Sequence, residues 1–246
     1  AATYPLARPL FIYSDAKIMQ DKPQVAAFIN FFLTFVDEVV ESVGYFPADL
    51  EVAKQAWLDA MSSTPTSEVP AATEEPTMET GMLPEVNPLE VTGDMSIAGS
   101  STVFPLAEAI VSRFKDEGYS GSIDLQSIGS GAGFERFCVD GASDVSNASR
   151  PIKDDEIESC KAIGRTPVEF RVGTDALAVV VSAENDFVTD VTFEQLALIF
   201  STAETWADVD PSWPAETILR YIPGTDSGTF DYFVEEIFDE NEEPIL

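Results

Sequence analysis

The sequence predicts an α/β protein with mainly parallel sheets, on three observations. A short β-like run enters a Gly/Ser/Thr loop and leaves as an amphipathic helix three times over, at 96–114, 127–138 and 224–238. Between these units strand-like and helix-like patterns alternate, as they do when helices cover a parallel sheet. The chain of 246 residues is 45% hydrophobic and carries 17 Phe, enough to build a sizeable core.

Taken in order, YPLARPLFIY (4–13) contains an apolar run from Leu10 to Tyr13 that reads as a buried strand. A helix follows from Pro23 to Ser42, with Asp21 as its candidate cap and a wide apolar face of Val25, Phe28, Ile29, Phe32, Val36, Val39, Val40 and Val43. A second helix after Pro47 carries Leu50, Ala53, Trp57 and Met61. Residues 63–94 are different material: they hold five prolines and seven acidic residues, and no Lys or Arg occurs between Lys54 and Arg113. Such a composition buries too little apolar surface to order itself and reads as an acidic, Pro-rich linker. From Ser96 the pattern begins afresh, with strands expected at Val168–Val172 and Leu177–Val181 and a capping box at Thr192 and Gln195.

The loops point to a small anion. Gly99-Ser100-Ser101-Thr102, Gly129-Ser130-Gly131-Ala132-Gly133 and Gly224-Thr225-Asp226-Ser227-Gly228-Thr229 each precede a helix. A helix start exposes backbone N–H groups and roughly half a positive charge, and Gly lets an oxyanion approach that backbone. For any one loop the plainer reading is that Ser and Thr cap the helix; three loops of one design favour the anion.

Composition excludes other classes. A net charge of −31, from 44 acidic against 13 basic residues, opposes nucleic acid, whose phosphates demand clustered Lys and Arg. With no His in the chain a Ser-His-Asp triad cannot form, and two cysteines without His cannot complete a tetrahedral metal set. No G-x-S-x-G elbow, no lysine of an S-x-x-K beside Ser101, Ser130 or Ser227, and no G-K-[ST] occurs, so neither a hydrolase nor a P-loop is expected, and no cofactor. No 18-residue apolar run or signal-like opening is present.

The motifs AGSSTVFPLAEAI (98–110), GSGAGFERFCVDGASDVSNASRPI (129–152), DALAVVVS (175–182), TFEQLALIF (192–200) and PGTDSGTFDYF (223–233) together resemble the phosphate-binding proteins of ABC-type phosphate uptake, in the periplasmic binding protein superfamily. The match runs from 96 to 246. Residues 1–62 look like the carboxy-terminal segment of that family standing in front, as in a slice across a tandem protein or a circular permutant. The resemblance implies two lobes of α/β type. Lobe 1 would comprise 95–172, completed by 1–62 across the linker 63–94; 173–246 would be an incomplete lobe 2. It implies phosphate contacts from Ser101 or Thr102 with the N–H groups of Val103 and Phe104, from Ser130, and from Ser227, Gly228 and Thr229. Asp144 would accept the proton of hydrogen phosphate, excluding sulfate. Arg150 is the first candidate cation and Arg220 the second. The resemblance further implies a Cys138–Cys160 disulfide, ABC permease subunits as partners, and a periplasmic or extracellular location, with or without a membrane tether. Sulfate, molybdate or tungstate binding, a truncated module with only an interaction role, and domain-swapped self-association are the alternatives.

Overall fold

A computed structural model describes residues 4–62, 82–224, 227–238 and 245. Most of the expected linker, 63–81, lies outside them. The chain divides into two compact units, one from Ala7 to Asp175 and the other joining the residues up to Leu6 with those from Ala176 on.

The larger unit is built on one five-stranded sheet. Its strands are β1 (Ala7–Asp15), β2 (Met95–Gly99), β3 (Ile123–Ser127), β4 (Val145–Ala148) and β5 (Pro167–Ala176), in the order β3-β2-β4-β1-β5. β2 pairs in parallel with β3 and β4, while β1 runs antiparallel to β4 with Phe11, Ile12 and Tyr13 opposite Ala148, Asn147 and Ser146. The strand from ahead of the acidic segment therefore sits between two strands from behind it. Because side chains alternate across a strand, β1 feeds both cores: Leu10 and Ile12 join one cluster, Phe11 and Tyr13 the other.

The helices are α1 (Ala16–Asp21), α2 (Pro23–Val39), α3 (Glu51–Ser62), α4 (Phe104–Asp116), α5 (Ser130–Cys138) and α6 (Asp154–Ala162) in this unit, then α7 (Phe193–Ile199), α8 (Trp206–Val209) and α9 (Gly228–Phe238) in the other. α2, α3 and α4 cover one face of the sheet, and α5 with α6 the other. The apolar face expected on α2 is buried as predicted, from Val25 through Val36. Its centre is an aromatic knot in which Phe114 of α4 meets Phe28, Phe31 and Tyr119 at ring separations of 5.6, 5.0 and 4.7 Å. Asp21 is not the cap of α2. It ends α1, which Asp15 caps through the N–H groups of Lys17 and Ile18, and Lys22 precedes Pro23 without a side-chain bond. The described end of the acidic segment lies against this unit, with the Asn30 amide donating to Pro84 O at 3.0 Å and the Gln24 amide to Asp94 O at 3.0 Å.

In the smaller unit the capping box stands as expected: Thr192 Oγ1 accepts from Gln195 N at 3.2 Å and Gln195 Oε1 from Thr192 N at 2.9 Å. Leu6, Leu177, Leu196, Tyr232 and Phe233 form its core. The expected strand Leu177–Val181 is absent: β5 stops at Ala176, and beyond the Leu177 N bond to Leu6 O the segment joins no ladder. An apolar run becomes a strand only where a neighbouring backbone accepts its hydrogen bonds along its length, and among the described residues the run has such a partner at Leu177 alone; Val180 stays 83% exposed. Among the described residues no helix is long and apolar enough to cross a membrane.

Phe114→Ala empties the centre of the knot and is expected to cost about 3–5 kcal/mol, read by urea unfolding. A change under about 1 kcal/mol would mean that α2 does not depend on α4 for its packing.

Candidate anion-binding site

The first loop leaves the carboxyl end of β2 at Gly99. Its φ of +144° suits glycine, and a Cβ there would stand 2.0 Å from Asn147 O. Gly99 O accepts from Ile128 N at 2.9 Å and Gly129 N at 3.0 Å, tying the first two loops together. Ser100 Oγ then closes the turn by accepting from Thr102 N and Val103 N at 3.2 and 3.3 Å, and Ser100 O accepts from Phe104 N at 3.1 Å. The N–H groups of Val103 and Phe104, expected to face an anion, are thus turned inward onto Ser100.

The second loop delivers Ser130 at the first turn of α5. Ser130 Oγ accepts from Ser149 N at 3.1 Å and lies 3.3 Å from Ser149 Oγ. Helical bonding begins at Gly133 N, which donates to Gly129 O, so the N–H groups of Ser130, Gly131 and Ala132 have no acceptor among the described residues. Gly133 lets this helix lie against β2, since a Cβ there would meet Gly99 Cα at 2.5 Å.

Between the two loops lies a guanidinium that sequence reasoning missed. Arg8, buried at 4% exposure, donates from Nη2 to Thr102 Oγ1, from Nη1 to Ser149 Oγ at 3.4 Å, and from Nε to Asp175 Oδ2 at 3.1 Å. Tyr45 adds a hydroxyl, donating to Thr102 O at 2.7 Å. Burial, and after it the Asp175 carboxylate, pushes the Tyr45 phenol up from its ordinary value, so it stays a protonated donor. Thr102, Ser130, Ser149, Tyr45, Arg8 and Asp175 therefore converge at the exit ends of β2 and β4. The available signal was a lone arginine inside the otherwise apolar stretch Leu6–Tyr13.

Asp144, expected to take the ligand's proton, sits at the entrance end of β4, where it accepts from Lys22 Nζ at 2.7 Å and Ser96 N at 3.1 Å. β4 separates it from Ser149 by five residues, about 16 Å along a strand; the small polar stretch after Asp144 is a strand rather than a loop. Arg150 adjoins the site but makes a two-pronged pair with Glu156, Nη1 to Oε2 at 2.9 Å and Nη2 to Oε1 at 2.7 Å, and lies over the Phe134 ring. Arg220, in the smaller unit, donates to Ile199 O and Ala203 O. Ser227, Gly228 and Thr229 form the start of α9 in that unit, with Thr229 N donating to Ser227 Oγ at 3.2 Å; Thr225 and Asp226 lie outside the described residues. Ser101 is partly buried in the first loop. The Cys138–Cys160 disulfide joins α5 to α6.

The PBP superfamily domain matches residues 70–243, so the chain belongs to that superfamily. Its relatives include the phosphate-binding protein PstS of Staphylococcus saprophyticus, 41% identical over 154 residues that make up 62% of this chain and 47% of that protein. Protein SphX of Synechococcus elongatus is 43% identical over 144 residues, 56% of this chain and 42% of the relative. The chain spans about half the length of the curated relatives it matches. Among solved structures, a phosphate-binding protein of a phosphate ABC transporter from Streptococcus pneumoniae superposes with a TM-score of 0.52 at 22% identity, covering 80% of this chain and 60% of that one. A possible phosphate binding protein from Planctomyces limnophilus gives 0.51 at 30% identity, covering 60% of this chain and 53% of that one.

Asp144→Asn should destabilise the larger unit by up to about 1 kcal/mol, because Lys22, 46% exposed, keeps water when it loses its charged partner and the amide oxygen can still accept from Ser96 N, and should leave anion selectivity where it was. Unfolding curves and anion titrations on one preparation check both halves; a changed selectivity with unchanged stability would return Asp144 to the site.

Proposed function

We propose that this chain binds inorganic phosphate, as part of the extracytoplasmic solute-binding component of an ABC phosphate transporter. The observation that carries this reading is the buried Arg8 fork, held between the Thr102 and Ser149 hydroxyls beside the open first turn of α5. A tetrahedral oxyanion needs many donors converging from different directions, and an arginine fork with hydroxyls and a helix start supplies them. The names of the relatives support the choice of phosphate, and transporter permeases would be the partners. The disulfide supports an oxidising, extracytoplasmic compartment. The reading is of a binding protein and not of an enzyme, since the serines have no histidine to activate them.

The position of β1 between β4 and β5 supports reading residues 1–62 as the carboxy-terminal family segment placed ahead of the linker, within lobe 1. In the structure this pairing is made within one chain, so a swap between two chains is the alternative closure. Sulfate or molybdate binding is the second functional reading, favoured by the placement of Asp144 away from the donors.

Titration calorimetry with phosphate should give saturable binding. Arg8→Lys, which keeps the charge and loses the fork, should weaken it about 10-fold, and Arg8→Gln at least about 100-fold, or roughly 3 kcal/mol. Binding that survives Arg8→Gln unchanged would move the site elsewhere in the chain.

A further inference from the structure

The smaller unit holds two extended runs that begin as strands and then lose their partners. Leu177 N donates to Leu6 O at 2.9 Å; Thr217 forms an antiparallel bridge with Thr205, and Ile218 N donates to Glu204 O at 3.0 Å. Beyond these points 178–181 and 219–222 make no backbone hydrogen bond among the described residues. Both runs line the same two cavities. Leu177–Val180 and Tyr221 bound one of about 260 Å³, and Val179–Val181 with Leu219–Tyr221 bound one of about 880 Å³. Phe200 and Phe233, with ring centroids 4.8 Å apart, line the smaller cavity as well. The side chains along the runs are apolar and open to solvent, Leu219 at 75% and Tyr221 at 87% exposure.

We infer that this slot receives an extended polypeptide strand from a partner, apolar on alternate residues and flanked by Lys or Arg. Two unpaired backbone edges lining one gap can hydrogen-bond a strand from both sides, the main chain supplying affinity and alternate side chains filling the cavities. The flanking charge follows from the rim. Arg220 is the only basic residue from Ala176 to Leu246, and its guanidinium is spent on Ile199 O and Ala203 O. Glu184, Asp190 and Glu216 stand exposed around the larger cavity. An acidic rim attracts a strand with cationic ends and repels a second copy of this chain, whose net charge is −31. The Arg8 site lies in the larger unit and takes no part.

The test is titration of the full chain with the peptide KKVTITVTKK, with backbone hydrogen exchange followed on both runs. Saturable binding is expected, with exchange at 178–181 and 219–222 slowed at least about 10-fold. A peptide with Pro at its central Ile lacks a donor N–H and should bind at least about 10-fold more weakly. The same core flanked by Glu should lose as much at low salt, and Glu216→Lys should narrow that gap. Val180→Pro, at an exposed position outside the cores, should weaken the Lys-flanked peptide at least about 10-fold; should that variant not fold, the peptide series decides. Equal binding of the Pro peptide would show apolar contact without strand addition, and equal binding of the Glu-flanked peptide would remove the cationic partner. Either result overturns the proposal, as does the absence of binding. Slow exchange along both runs in the free chain would also overturn it, the slot then being closed already; if that protection grew with protein concentration, the occupant would be a second copy.

Discussion

Pairing of β1 with β4 is the contact on which the larger unit depends. The register that sets Phe11 opposite Ala148 and Tyr13 opposite Ser146 carries the start of β1, and Arg8 with it, toward the exit end of β4. Shifting that register by one residue would send Leu10 and Ile12 to the face of α5 and turn Arg8 away from Thr102, since successive side chains point to opposite faces. The same strand draws α1, α2 and α3 onto the sheet, where α2 supplies most of the large core side chains on its side. Core and donor ring are thus consequences of one ladder, formed by segments more than 130 residues apart.

The electrostatics of the chain are local. A net charge of −31 spread over a protein surface is screened within about 8–10 Å at physiological salt. Within the donor ring the nearest charges are one guanidinium and one carboxylate, both withdrawn from water. Desolvation makes an isolated buried arginine costly, and the Asp175 pair with two hydroxyls offsets that cost. The local field in the ring is therefore set by oriented donors and not by the average charge of the chain.

Much of this was legible. Helix starts depend on nearby residues alone: Gly for close approach, Ser or Thr to accept free N–H groups, an apolar periodicity to follow. The first two loops, the helices after all three, the α2 face and the Thr192 box could accordingly be read from short windows. Ser130 and Thr102 lie in the donor ring for the same reason. The resemblance to a family also carried the disulfide, which spacing alone left open.

What only the tertiary structure decided was the partner of each polar group. Asp144 and Ser149 lie five residues apart in one small polar stretch, and nothing local says that the stretch is an extended strand with its two ends on opposite edges of the sheet. Arg8 looks like a surface charge until β1 is placed between β4 and β5, and Leu177–Val181 looks like a strand until its backbone is left without a neighbour. Sequence determined where helices begin and which residues must be buried, because those preferences act within a turn or two. The fold decided which charges meet, because a hydrogen bond between Arg8 and Asp175 spans 167 positions and exists only once the sheet has closed around it.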